Sequence, residues 1–419
     1  MSTQSQLLQQ IRVINPINQT DQRADVWIVE GKISRIEPHI TPIPENTQVI
    51  PAQELIFAPG LVDLYSYSGE PGQEERETLD SLAAAAIAGG FTHVGILPKL
   101  QPVLDNPATL THLQQKLTRL NAQKLPKFHF WGSLTLDTKG EQLSELGELA
   151  QTEIIGFTDA QPLSNYGLLR RALEYLQPFH KPVALVPVNL SLRGNGVMRE
   201  GDASICFGLP GDPVMSESLA IASILELVSA TQTPVHLMRI STERGVELIA
   251  DAKSRHLPIT ASVTWSHLLL NTESIRSYDP NLHLDPPLGN ESDRLALIYG
   301  VKSGIIDAIA VDHRAYTYEE KTLSFAESPA GTIGLELALP CLWQNLVETG
   351  QLTAVELWQA LSINPLRCLG LPNSLSDYLI FDPILPWIVE ASTLKTLGRN
   401  TFWLNQSLQG KVTQMISSV

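Results

Sequence analysis

The residues best suited to chemistry in this chain are scattered rather than clustered. Ten histidines are spread along the sequence, and the closest two, His256 and His267, are 11 residues apart. A hydrolytic metal needs imidazoles and carboxylates within about 2.0–2.2 Å of the ion, and such sites often start from a closely spaced histidine pair. No HxH, HxxxH or HExxH occurs, which leaves only a site assembled from distant segments. Asp312 closes the apolar run Ile306-Asp307-Ala308-Ile309-Ala310-Val311 and is the strongest candidate for an active-site carboxylate. Asp159, after Ile154-Ile155-Gly156-Phe157-Thr158, is the second, and His313 stands where a functional imidazole would be expected. For each the alternative is a side chain that caps the following loop or helix. His236, in mid-strand, and His267, opening an apolar segment, read as structural. No GxxxxGK(S/T) loop, GxSxG elbow or CxxC pair is present, which argues against nucleotide hydrolysis, an α/β-hydrolase mechanism and thiol exchange.

These groups need a scaffold, and the chain alternates strand and helix patterns. Eight apolar runs, 60–67, 91–97, 127–134, 153–158, 182–188, 234–240, 258–264 and 306–312, predict the strands of a (β/α)8 barrel, whose working groups sit at the strands' carboxyl ends. Leu79, Leu82, Ala83, Ala86 and Ile87 share one helical face that Gly89-Gly90 ends, and Leu169, Ala172, Leu173 and Leu176 repeat the spacing. Thr353 with Glu356 has the pattern of a capping box. Short strand-like runs at both ends, with a turn at Gly31-Lys32, predict a small β-sandwich domain from residues 1–58 and 372–419, flanking a barrel over 59–371.

A composition 43% hydrophobic and 17% charged suits a sizeable core, and the net charge of −15 disfavours nucleic acid and anionic membranes as partners. The N-terminus lacks the basic and apolar regions of a signal peptide, and the most membrane-like stretch, Leu82 to Leu97, changes from helical to strand patterning. Cys206, Cys341 and Cys368 are odd in number and far apart, which predicts a cytoplasmic protein with each cysteine a small core hydrophobe.

Several segments carry a resemblance in order along the chain. They include Ala58-Pro59-Gly60-Leu61-Val62-Asp63-Leu64, Glu70-Pro71-Gly72, Gly196-Val197-Met198-Arg199-Glu200-Gly201, Asp285-Pro286-Pro287-Leu288 and Asp307-Ala308-Ile309-Ala310-Val311-Asp312-His313. The chain resembles bacterial dihydroorotases of the amidohydrolase superfamily, in the dihydroorotase/allantoinase group. The resemblance implies opening and closing of the dihydroorotate ring, with zinc polarising the ring carbonyl and activating water while an aspartate shuttles the proton. It places Asp312 at the proton-shuttle position and Asp159 at or beside the bridging carboxylate.

Against that pattern the metal positions are altered. Tyr65-Ser66-Tyr67 stands where the family has HxH, Val186 where it has the strand-5 histidine, and Arg239 where it has the strand-6 histidine. The family's substrate-clamping Arg and Asn are Gly69 and Lys99, and Asp285 replaces an Asn. A permanent cation near a zinc site opposes metal, so Arg239 is expected to pair with Asp159 or Asp312. The resulting expectation is a non-catalytic homologue without zinc, of the kind that supports aspartate transcarbamoylase. One alternative is a metal-free module in which Tyr65, Tyr67, Lys99, Asp159, Arg239, Asp285, Asp312 and His313 form a pocket for an anionic metabolite. A deep, positively lined cavity would favour it, and a mouth plugged by Tyr65 and Tyr67 would favour a scaffold. Another is an active cyclic-amide hydrolase with a rearranged site. A homo-oligomer stays open.

Overall fold

The computed structural model describes residues 5–43, 45–120, 126–372 and 377–417; residues 1–4, 44, 373–376 and 418–419 of the expected end domain lie outside them. The chain begins with β1 (Ser5–Asn15), β2 (Thr20–Val29), β3 (Lys32–Glu37), β4 (Thr47–Pro51) and β5 (Ile56–Pro59). The turn between β2 and β3 is Glu30-Gly31, one residue earlier than the sequence suggests. Both residues have positive φ, 53° and 76°, as a two-residue hairpin turn matched to strand twist requires. A bulge between Leu8 and Ile11, with Gln10 at φ 56°, bends β1, so that its first half pairs with β4 and its second half with β5.

The barrel strands follow: β6 (Leu61–Ser66), β7 (Phe91–Ile96), β8 (Lys127–Gly132), β9 (Gly156–Phe157) and β10 (Val183–Leu185). A two-residue pair, β11 (Met198–Arg199) and β12 (Gly211–Asp212), interrupts them. Then come β13 (Val235–Leu237), β14 (Ile259–Thr264) and β15 (Ala308–Ala310). Each barrel strand falls within a predicted apolar run, and all eight pair in parallel from β6 round to β15. The seam between first and last strand is made differently. Val311 N donates to the Asp63 carboxylate at 2.7 Å, and Tyr67 N donates to His313 O at 2.8 Å. The fold is a (β/α)8 barrel.

The chain then returns to the first sheet through β16 (Asp377–Ile388) and β17 (Ser407–Ser417), giving seven strands with the path β17-β16-β5-β1-β2-β3 and β4 branching from β1. Leu8, Ile11, Val26, Ile28, Phe57, Ile380 and Ile416 share one buried cluster, so both ends of the chain build one core.

The helices start where the sequence offers caps. Thr78 and Ser81 box the start of Leu79–Ala88, and Thr353 and Glu356 box Ala354–Trp358 as their spacing predicts. The longest apolar helix is Val214–Thr231 rather than the segment Leu82–Leu97, which divides into a helix and β7. By length and composition it could cross a membrane; here Ile221, Ile224, Leu225 and Val228 pack into the main core. Cys341 and Cys368 are buried as expected. Cys206 is exposed, because its short helix Asp202–Phe207 buries only Ser204.

Candidate functional site

Three barrel strands end in residues with left-handed backbone: Ala160 after β9 (φ 55°), Arg239 after β13 (φ 56°) and Asp312 after β15 (φ 53°). That conformation costs a non-glycine residue about 1–2 kcal/mol, and such strain persists where surrounding structure enforces it, commonly at functional sites. Here it aims Arg239 and Asp312 at each other, with Nη2 to Oδ1 at 2.7 Å. The guanidinium is almost wholly buried, lying 5.4 Å from the Tyr65 ring centroid and 6.0 Å from that of Tyr67. It also donates to Ala160 O and Tyr67 Oη, each at 3.3 Å, while its Nε has no partner.

A chain of hydrogen bonds runs beneath this pair. Tyr65 Oη accepts from Arg239 N at 3.3 Å and bonds Ser262 Oγ at 2.8 Å, and Ser262 Oγ bonds His236 Nε2 at 2.8 Å. His236 is therefore structural, as its mid-strand place suggests, and burial drives its pKa down to about 3. Burial, with Asp312 adding to it, pushes the Tyr65 phenol above its ordinary value, so it stays neutral.

Above the pair opens a cavity of about 560 Å³ whose wall includes Tyr67, Lys99, Arg239, Asp285 and Asp312, all named from sequence. The wall also carries Arg314, Tyr316 and His267, together with Lys139 and Arg193, which sequence reasoning did not place there. Arg193 ion-pairs with Asp285 at 2.7 Å. Arg314 lies 4.4 Å from the Tyr67 ring and 5.2 Å from the Tyr316 ring, and Arg76 and Lys321 are also 5.2 Å from Tyr316. Guanidiniums and phenols therefore alternate across the mouth. Burial, reinforced by Arg314, lowers the Lys321 ammonium to about 7. His267 is held by Thr264 and the carbonyls of Pro286 and Pro287, and burial lowers it to about 4, leaving it neutral.

Four expected site residues do not face this cavity. Asp159 turns into the loop after β8, where it accepts from Ser133 Oγ, Leu134 N, Thr135 N and Thr135 Oγ1 at 2.6–3.0 Å. It is a loop-organising carboxylate, and Arg239 pairs with Asp312 alone. His313 is fully buried: its Nε2 donates to Glu77 at 3.1 Å, and its Nδ1 accepts from Gly334 N at 3.2 Å. Tyr65 lies under the cavity floor rather than on its wall, and Val186 is in the same buried cluster as Tyr65, Trp131 and Met238. The three groups that a rearranged metal site would have used, Asp159, Asp312 and His313, are each engaged with a different partner. Among the described residues, no three His, Cys, Asp or Glu side chains converge as metal ligands would.

Comparison with known proteins agrees with this architecture. A family model described as "Dihydro-orotase-like" matches residues 54–244. A "Probable dihydroorotase-like protein" of Synechocystis sp. is 53% identical, covering 98% of this chain and 99% of its own length. The chain belongs to the dihydroorotase-like family. A dihydroorotase of Pelobacter propionicus is 36% identical over 96% of both chains. Among solved structures, the L-hydantoinase of Arthrobacter aurescens superposes with a TM-score of 0.83 at 19% identity, covering 99% of this chain and 94% of that one, a likeness of fold. This dihydroorotase-like chain is thus a pyrimidine-related amidohydrolase by descent, with a mouth built around an arginine–aspartate pair.

Proposed function

We propose that this chain is a non-catalytic member of the dihydroorotase-like family that works in the cytoplasm in support of aspartate transcarbamoylase. The Arg239–Asp312 ion pair carries the reading. Asp312 stands where the resemblance puts a proton shuttle, and a carboxylate engaged by a permanent cation is poorly placed to exchange protons with substrate. Zinc does not fit the donor set. Two phenols, Tyr65 and Tyr67, the aliphatic Val186 and a guanidinium occupy the positions of the expected imidazoles, and a buried guanidinium repels a divalent cation. The substrate clamp is altered in the backbone as well. A Cβ at Gly69 would meet Gln73 O at 2.3 Å and Glu77 N at 2.8 Å, so no arginine fits there without moving the loop. The partner is supported by family resemblance. Affinity capture of the tagged full chain from its own cells should recover aspartate transcarbamoylase in stoichiometric amount; recovery of the chain alone would count against the assembly role.

The open cavity favours a second reading that is compatible with loss of hydrolysis. Tyr65 and Tyr67 do not plug the mouth, and cations dominate its wall. The barrel in that case keeps a metal-free pocket for a small anion.

A further inference from the structure

The charges around the mouth do not cancel, and the surplus is local. Of the five cations on the wall of the larger cavity, three have carboxylate partners: Arg239 with Asp312 at 2.7 Å, Arg193 with Asp285 at 2.7 Å, and Lys139 with Asp137 at 2.8 Å. Lys99 and Arg314 make no ion pair within 4 Å among the described residues. Arg314 donates Nη1 to Ala330 O at 3.3 Å and is otherwise flanked by the faces of Tyr67 and Tyr316, which fix its plane without neutralising it.

Both unpaired cations also line a second cavity of about 220 Å³ beside the first, as does Tyr67. They therefore stand on the wall common to the two cavities, each without a carboxylate within 4 Å, while the Glu77 carboxylate that also lines the smaller cavity is taken up by Ser81, His313, Thr396 and Leu397 N. A compact dianion suits two cations on one shared wall better than an extended dicarboxylate, whose two charges lie farther apart. Guanidinium and ammonium together are the usual donors to phosphate, the first through its planar fork and the second as a point charge.

We propose that Lys99 and Arg314 form a binding site for the phosphate of a small phosphomonoester. The rest of that ligand extends into the larger cavity, toward Asn165, Gln161 and the Arg193–Asp285 pair. The assignment rests on the metal-free pocket reading and names its ligand class. No covalent step is involved; the phosphate is held, not transferred.

The test is titration calorimetry of the full chain at pH 7.5 with inorganic phosphate, succinate and chloride as separate probes. Phosphate should bind with one site per chain and at least tenfold more tightly than succinate. Arg314→Gln and Lys99→Gln should each weaken it at least tenfold, with melting temperature checked in parallel. Lys99 is exposed, so its variant isolates the charge even if Arg314→Gln unfolds. Phosphate binding unchanged in Lys99→Gln would overturn the assignment. Succinate bound more tightly than phosphate would overturn the phosphate class and leave the metal-free pocket standing. No binding by any probe would overturn both.

Discussion

Arg239 is the residue on which the mouth depends. Its guanidinium is buried against two phenol rings and one carboxylate, so Tyr65, Tyr67, Asp312 and Arg239 form one mutually packed set. Removing one partner of a buried ion pair strands the other charge. Arg239→Met should lower stability by about 2–3 kcal/mol in urea unfolding, below the full cost of a buried pair because the Asp312 side chain is 19% exposed. The double variant Arg239→Met/Asp312→Leu should regain a large part of the loss; an equally unstable double variant would argue against the pair. Gly69→Ala should cost about 1–3 kcal/mol by overpacking, since the atoms it would meet are backbone. Sequence made Arg239, Asp312, Lys99 and Asp285 legible, because their places relative to strand ends and family motifs are local facts. It did not reveal Arg193, which reaches Asp285 across 92 residues, or the seating of Arg314 between two tyrosines. It also placed Asp159 and His313 in the pocket. A carboxylate or imidazole just after a strand can face the mouth or the adjoining loop, and only the backbone turn and its donors decide between them.

At the scale of elements, periodicity was a good guide. The eight barrel strands and the helix Tyr166–Leu176, with Leu168, Leu169, Ala172, Leu173 and Leu176 buried, follow from apolar spacing. The boxed helix start at Thr353 is visible in four residues. Thr353→Ala should cost about 1 kcal/mol of thermal or urea stability without altering the mouth, whereas no loss would mean the cap is redundant. The strand-end conformations were not legible. Left-handed φ at Ala160 and Arg239 has no signature in residue type, and at Asp312 only the weak tolerance that aspartate shares with asparagine. The surrounding barrel imposes it. The short pair β11–β12 was missed for another reason: two residues carry no period, and the strands pair in parallel across a connection that contains the helix Asp202–Phe207.

At the scale of the whole molecule, a titratable group sits in the seam that closes the barrel. Asp63 joins β6 to β15 by accepting from Val311 N, and burial raises its pKa to about 7, from 3.8. A raised acid contributes stability that is present below the unfolded value and lost as pH climbs through about 7. Buried imidazoles act in the opposite sense. His236 falls to about 3, and His93, His129 and His267 to about 4, from 6.5, chiefly through burial. Their contribution is present above pH 6.5 and is lost on acidification toward 4, by up to about 1.4 kcal/mol per pH unit for each. Asp159, Asp212, Glu217 and Glu336 are raised by burial as well and act with Asp63, so the slope of stability between pH 6.5 and 4.5 is the difference between these acids and the imidazoles. Asp63→Asn should shift that slope in urea unfolding toward loss on acidification by removing one opposing proton; an unchanged slope would show that Asp63 does not titrate in this range.

The proposed function joins the altered mouth, the closed seam and the paired ends into one reading, a dihydroorotase-like scaffold whose site does not carry out zinc chemistry. The most direct test is dihydroorotate formation from carbamoyl-aspartate by the purified chain with added zinc, beside an active homologue. The proposal predicts no turnover above the uncatalysed background. Robust turnover that Asp312→Ala abolishes would contradict it and mean that Asp312 leaves Arg239 to work with a metal.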